Sequence, residues 1–295
     1  MAGETTLTTL AVDVPTELIT AEILDALRPT IVIQPLVQPG KLPHGQGLVW
    51  QQTKFPTVTA AALTEATDQS PTARTTTLEA DITVAGVGVN TRLTDLSRTA
   101  TVGDAGDIMA WARQAGEAIR QKIDGDLAAL FATLNSSSSV GSTGVNMTLA
   151  NFLEANYTLE SNNAPYPYSC VLHPIQKLDL QSALVNTSNA GAVHFNLAEL
   201  VRNGILPQGT PGTGFWGELC GIPIYTTTEC DTANSDADRV GAMFNPKAMA
   251  FVQHTPIYTE YERDASLRAT EVVSTIVYGV GENDEERGVA IITDA

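Results

Sequence analysis

Cysteine, aromatic residues and basic residues are all scarce in this chain, and each scarcity excludes a class of molecule. Its 295 residues include three cysteines, Cys170, Cys220 and Cys230, too few and too odd in number for a disulfide scaffold. Lys and Arg total 16 against 33 Asp and Glu, a net charge of −17. A surface this acidic lacks the clustered cations that grip a phosphate backbone or an anionic membrane. No apolar run approaches the ~18 residues of a spanning helix. The N-terminal MAGETTLTTLAVDVP lacks the basic and then apolar segments of a secretory signal. The expectation is a soluble protein made in a reducing cytoplasm.

Catalytic signatures are missing as well. None of the four histidines, His44, His173, His194 and His254, has metal-ligand spacing to another His or Cys, apart from Cys170-x-x-His173. That pair lies in YSCVLHPIQKLDLQ, residues 168–181, and supplies two ligands where a structural zinc takes four. A strand that enters a helix at Pro174 explains the segment better, because Pro at the first helical position loses no hydrogen bond. Cys170 is then a buried thiol, His173 a residue at the helix start, and Lys177 and Asp179 solvated helix positions. Cys220 and Cys230 lack C-x-x-C spacing and read as reduced structural thiols. GTPGTGFWG (209–217) has no following Gly-Lys-Ser/Thr, so it reads as a surface loop. DTANSDAD (231–238) lacks the glycine and closing glutamate of a calcium loop and reads as a turn. There is no G-x-S-x-G elbow. No catalytic, cofactor-binding or metal residue is expected.

What the chain has in abundance is Thr, Val, Ala and Gly, and 43% of it is hydrophobic, ample for a core with a large β component. PTELITAEILDAL (15–27) places Leu18, Ile19, Ile23 and Leu27 on one helical face, ended by Arg28-Pro29. TIVIQPLVQPGKLPHGQG is broken by three prolines and three glycines and predicts an extended arm. Residues 48–95 predict two alternating strands about a polar Pro- and Thr-rich tip, a long hairpin that needs a neighbour to pack on.

The strongest helical signal runs from Asp104 to Leu134. Ile108, Trp111, Ala115, Ile119, Ile123, Leu127, Leu130 and Leu134 form one stripe, with Arg113, Gln114, Glu117, Arg120, Gln121 and Asp124 opposite. Such a helix is roughly 45 Å long, and its single narrow stripe predicts that it lies on a sheet. NSSSSVGSTG connects it to a mixed α/β stretch. That stretch holds helices at MTLANFLEANYTLES, IQKLDLQSAL and FNLAELVRNG, strands at YSCVLHP and GIPIYTTTE, and a glycine-rich loop PQGTPGTGFWGELCG. After Arg239 the pattern is again β.

This order of elements resembles the major capsid protein of tailed double-stranded DNA phages, a fold shared with encapsulins and the herpesvirus capsid floor. TTTLEADITVAGVGVNTRLTDLSRTATVGDAGDIMAWARQAGEAIRQKIDGDL is similar to the family's passage from extended loop to spine helix. YSCVLHPIQKLDLQSAL is similar to its A-domain strand, turn and helix, and TEYERDASLRATEVVSTIVYGVGENDEERGVAIITDA to its P-domain ribbon and last strand.

The resemblance implies an α+β fold with five parts. These are an N-terminal helix and N-arm (1–46), an extended loop (47–82), a P-domain part with the spine helix (83–143), an A-domain (144–242), and a P-domain ribbon with terminal strand (243–295). It implies a non-enzymatic subunit, without cofactor, that assembles with itself into hexamers and pentamers of an icosahedral virion shell. The shell would enclose double-stranded DNA without reading its sequence, helped by scaffolding, portal and possibly decoration proteins. Since the chain begins almost at the N-arm, either a separate scaffold assists it or a scaffolding segment is missing from this form. Certain relatives crosslink an extended-loop lysine to a neighbour. Lys54 lies in that loop but has no strong partner in the sequence.

Two other readings compete. An encapsulin-type compartment would share the fold and add a groove for cargo peptides. A ligand-binding or hydrolytic α/β protein would need a pocket of convergent ionisable groups.

Overall fold

The computed structural model describes residue 23 and residues 31–54, 77–96, 104–135, 137–185, 214–235 and 237–294, with isolated positions between 60 and 68. The 15–27 helix therefore lies outside the described residues except for Ile23, which is helical and fully buried in the core. The FNLAELVRNG helix lies wholly outside them.

Thirteen strands and three α-helices occur among the described residues. Strands β1 (Gln38–Lys41), β4 (Ala85–Thr94), β11 (Met249–Asp264) and β12 (Ala269–Glu282) form a four-stranded sheet in the order β1-β11-β12-β4. The pair β11–β12 is a long antiparallel ribbon, and β1 adds to it in parallel from Gln38 opposite Ala250 to Lys41 opposite Gln253. Strand β4 runs antiparallel to β12 from Ala85 opposite Tyr278 to Thr94 opposite Ala269.

Alternation sends Val87, Val89, Leu93, Ile276, Tyr278 and Val280 to one face. There they meet Ala112, Ala115, Ile119, Ile123 and Leu127 of helix α1 (Asp104–Ala128). The long helix lies on a sheet, as its one-sided stripe predicts.

The α-helix is shorter than its periodicity suggests. It ends at Ala128 and tightens into a 3-10 turn, Ala129–Ala132, before Asn135 adopts a left-handed φ of 44°. The tighter winding shifts the stripe, so Phe131 is fully buried while Leu130 is only half-buried. Phe131 packs against Phe244 with ring centroids 5.7 Å apart.

A seven-stranded sheet holds β5 (Val140–Gly141), β13 (Gly288–Asp294), β10 (Asp238–Phe244), β6 (Ser169–Leu172), β8 (Ile222–Thr226) and β7 (Phe215–Leu219) in that order, with β9 (Thr232–Ala233) paired to β10. Period-two alternation splits its side chains between two cores. Cys170, Leu172, Met243, Val289 and Ile291 pack with Phe152, Ala155 and Leu159 of α2 (Leu149–Ser161) and Leu180 of α3 (Pro174–Val185). Val171, Val240, Ala242, Phe244 and Ala290 join the α1 core on the reverse face.

One element departs from the sequence expectation. Within the glycine-rich segment expected to be a loop, Phe215–Leu219 is strand β7, with Trp216 buried, and residues 207–213 lie outside the described residues. Its partner β8 continues through Cys220 and Gly221, both at positive φ (53° and 80°), the left-handed pair that a tight two-residue hairpin turn requires. The last strand pairs with β10 and β5. Its apolar run GVAIITD is buried on both sides, which suits a central strand.

Candidate assembly elements

Cys170 and His173, the pair singled out in the sequence, both make structural contacts. Cys170 is fully buried in β6, and burial pushes its thiol far above the usual range. His173 sits at the start of α3, where its Nδ1 accepts the N–H of Ile175 (3.3 Å). Burial, with Arg239 nearby, holds its imidazole below the usual value. Gln176 answers from the third helical position, accepting the N–H of His173 (3.0 Å). The two form a reciprocal cap of the kind usually made by Ser or Thr with Glu.

Gln176 is also fully buried, and its Nε2 donates to the carbonyls of Arg239 (2.9 Å) and Ile291 (3.2 Å) and to Thr293 Oγ1 (2.9 Å). This hub ties α3 to β10 and β13. It explains Gly241, where a Cβ would stand 2.7 Å from Gln176 Oε1. Sequence reading passed over Gln176, although Gln three positions after a helix start is the detectable half of a capping box.

Lys177 and Asp179 are less solvated than expected. Lys177 lies over the Trp216 ring at 5.7 Å, and Asp179 accepts from Asn146 (3.1 Å). Cys230 is buried and Cys220 exposed. DTANSDAD contains β9 and then left-handed Asn234 and Ser235. Among the described residues no three His, Cys, Asp or Glu side chains gather into a metal set, and no helix is long and apolar enough to cross a membrane. An open groove of about 560 Å³ on the outer ribbon is lined by Thr259, Glu260, Tyr261, Glu262, Glu271 and Val273. Of its three carboxylates, Glu271 is paired with Arg92.

The arm is held by a residue that periodicity placed on the solvent side of α1. Asp124 is fully buried; its Oδ2 accepts the N–H of Val32 (3.0 Å) and its Oδ1 that of Ile33 (3.2 Å). Burial raises its carboxyl above the ordinary value of 3.8 despite these bonds and nearby Arg120. Arg120, one turn earlier, is itself largely covered and lies 3.6 Å from Glu229. The flank Arg120–Asp124 is thus an arm-binding surface. A helical wheel could not find it, because the arm covering it is nearly a hundred residues away in sequence. Ile33 and Val37 then enter the core, and β1 pairs with the ribbon.

The hairpin strands β2 (Val49–Lys54) and β3 (Thr77–Thr83) pair only with each other among the described residues. Ala80, Ile82 and Val84 root them on Leu42, Ala250 and Val252. The approach is close: a Cβ on Gly279 would stand 2.6 Å from the Thr83 carbonyl, and one on Gly281 would stand 2.7 Å from Ile82 Cγ1. Lys54 ends β2 opposite Thr77. The tip, 55–76, lies outside the described residues apart from isolated positions, of which Leu63 is exposed. The opposite end of the ribbon is braced by Arg263, which donates to both oxygens of Asp95 (2.6 Å each), and by the pair Arg92–Glu271.

Comparison with known proteins gives this architecture a family. No curated protein matches by sequence. Among solved structures, a capsid chain of the cyanophage P-SCSP1u superimposes with a TM-score of 0.63 at 16% identity, covering 87% of this chain and 86% of that one. The capsid of Ralstonia phage GP4 gives 0.63 at 12%, covering 91% and 92%. A chain of Mycobacterium phage Che8 gives 0.60 at 18%, covering 83% and 84%. The fold is the tailed-phage capsid fold that the order of elements implied. A phage capsid protein family model matches residues 81–292, from β3 through the long helix to the last strand, and the chain belongs to that family.

Proposed function

We propose that this capsid subunit builds the icosahedral shell around a double-stranded DNA genome, assembling in the host cytoplasm with scaffolding and portal partners and without catalysis. The observation that carries the proposal is the hairpin β2–β3. A two-stranded ribbon is marginal by itself, and among the described residues this one packs on the body through its root. Extending such an element away from its own core is worthwhile if a neighbouring subunit supplies the missing layer, so that ordering cost is offset by new interface. The acidic chain suits a container whose genome must be packed and later moved.

In this reading the parts divide by sheet. The arm and hairpin keep the ranges 1–46 and 47–82. The P-domain is α1 with β4, β11 and β12, and the A-domain is the seven-stranded sheet with α2 and α3. The A-domain therefore includes β10 and takes back the chain for β13.

Family membership favours the phage shell over a cargo compartment. Negative-stain images of purified protein test the assembly, with closed shells of uniform diameter expected. Nuclease-protected double-stranded DNA in native particles tests the content. A protein that stays monomeric with its scaffold present, or native shells without DNA, would overturn the respective half.

A further inference from the structure

The ribbon strand β11 is paired along one edge from end to end and along the other only at its start. β12 pairs with it from Met249 to Asp264, whereas β1 pairs with it from Ala250 to Gln253. Among the described residues no strand lies beside the rest of that outer edge. Such an edge presents a row of unpaired N–H and C=O groups, which proteins commonly blunt with bulges, proline or charge. Here the bulges and the proline sit together next to β1. The register with β12 shifts between Gln253 and Thr255 and again between Thr255 and Tyr258, with Pro256 in between. From Tyr258 to Asp264 the register is regular, an open edge of roughly 23 Å at about 3.3 Å per residue.

The groove of about 560 Å³ follows this edge. Four consecutive residues of β11, Thr259, Glu260, Tyr261 and Glu262, line it together with Glu271 and Val273 of β12. Consecutive strand residues point to opposite faces, so a groove touching all four runs along the side of the strand. Its charge has one sign. Glu260 and Glu262 are exposed and share a face with Val273 and Glu271, which lie directly opposite them. The nearest cations are engaged, Arg92 with Glu271 and Arg263 with Asp95.

We propose that this edge takes up an extended basic segment of another protein as an added strand. Main-chain bonds to the open N–H and C=O groups supply affinity, and alternate Lys or Arg side chains of the added strand meet Glu260 and Glu262. A second copy of this chain does not meet that requirement. Its 16 Lys and Arg stand two positions apart only once, at Arg120 and Lys122, and both lie within α1. In the shell proposed above, such a partner is an accessory protein with a basic arm.

Fluorescence anisotropy of a short labelled peptide of alternating Thr and Lys, titrated with isolated subunit, tests the edge. The controls are a Thr–Glu peptide and an N-methylated Thr–Lys peptide, which keeps every charge and has no backbone N–H. The Thr–Lys peptide should bind about tenfold or more tightly than either. Hydrogen exchange should slow at those amides of residues 258–264 that point away from β12. Glu260→Lys with Glu262→Lys should lower the affinity about tenfold or more, because like charges then face the peptide, and Glu260→Gln with Glu262→Gln should lower it less. The unfolding temperature should stay unchanged, since both side chains are exposed. Equal affinity for the N-methylated peptide, or binding without slowed exchange at 258–264, would mean diffuse adsorption to an acidic surface and overturn the proposal. Absence of binding would overturn it too. Exchange at these amides that slows with subunit concentration alone would give the edge to a second copy instead. Because the isolated subunit is used, failure of the edge and failure of shell assembly are read separately.

Discussion

Strands β10 and β13 are buried along nearly their whole length, whereas β4 alternates exposed and half-buried residues from end to end. All three contain similar strand-forming residues, so propensity does not separate them. What differs is coverage. The seven-stranded sheet has α2 and α3 on one face and the α1 core on the other. The four-stranded sheet has α1 on one face, while among the described residues the hairpin root covers part of the other. One sheet is covered on both faces, and the other leaves part of a face open among the described residues. A protein that folds first and assembles later needs both kinds.

The contrast is tested most strongly inside the closed sheet. Phe152→Ala removes a fully buried ring between α2 and β13 and should cost about 3–5 kcal/mol. Val89→Ala, on half-buried β4, should cost less than about 1.5 kcal/mol, because part of that side chain already meets water. Urea denaturation of isolated subunits measures both, and equal losses would erase the distinction between the sheets. On α1 the corresponding pair is Ile119→Ala, at about 2–5 kcal/mol, and Arg120→Ala. Arg120 is largely covered, lies 3.6 Å from Glu229 and acts on the buried Asp124 carboxyl, so its loss should cost more than the ~1 kcal/mol of an exposed pair.

Gln176→Ala probes how the closed sheet is tied to its helix. It strands two carbonyls and the Thr293 hydroxyl, at roughly 1–3 kcal/mol. Hydrogen exchange should report the loss first at β13 and the start of α3. Uniform loss across the subunit would argue against a local hub.

Asp124→Asn addresses the seam between arm and body through its pH dependence. The folded carboxyl is raised above 3.8 by burial, so its ionisation counts against the folded state. That penalty is absent below pH 3.8, grows as pH rises through the folded value, and is complete above it. The parent should therefore lose stability relative to Asp124→Asn as pH increases from 3.8. The opposite slope would show that the N–H bonds from Val32 and Ile33 outweigh desolvation. A protease cut within residues 31–41, faster in Asp124→Ala than in the parent, would report release of the arm.

Local pattern carried much of this architecture. The stripe of Ile119, Ile123 and Leu127 announces a helix lying on a sheet, and Pro174 announces the helix after β6. The order of elements carried the family. Features made by distant contacts were not legible. Asp124 reads as solvated until the arm is placed on it, and Gly279 and Gly281 read as weak strand residues until the hairpin lies across them. Asp238 looks like part of a turn until β13 brings Asp294 opposite. The partners of β13, β10 and β5, were not legible either, because alternation reports burial and not the identity of the partner.

The smallest effect on the subunit should come from the hairpin tip, and there stability and assembly are expected to separate. Deleting residues 60–75 leaves the root residues Ala80, Ile82 and Val84 and their contacts with Ala250 and Val252 untouched. Shortening the connection by this much changes closure entropy by only about 1 kcal/mol. The urea midpoint of the isolated subunit should therefore barely move. Shell formation, followed by sedimentation and negative stain, should fail, since the removed segment is the part proposed to reach a neighbour. Normal closed shells from the deletion variant would remove the hairpin from the assembly argument. An unfolded variant would show that the tip belongs to the subunit's own core, and the open sheet would have to be redrawn as closed.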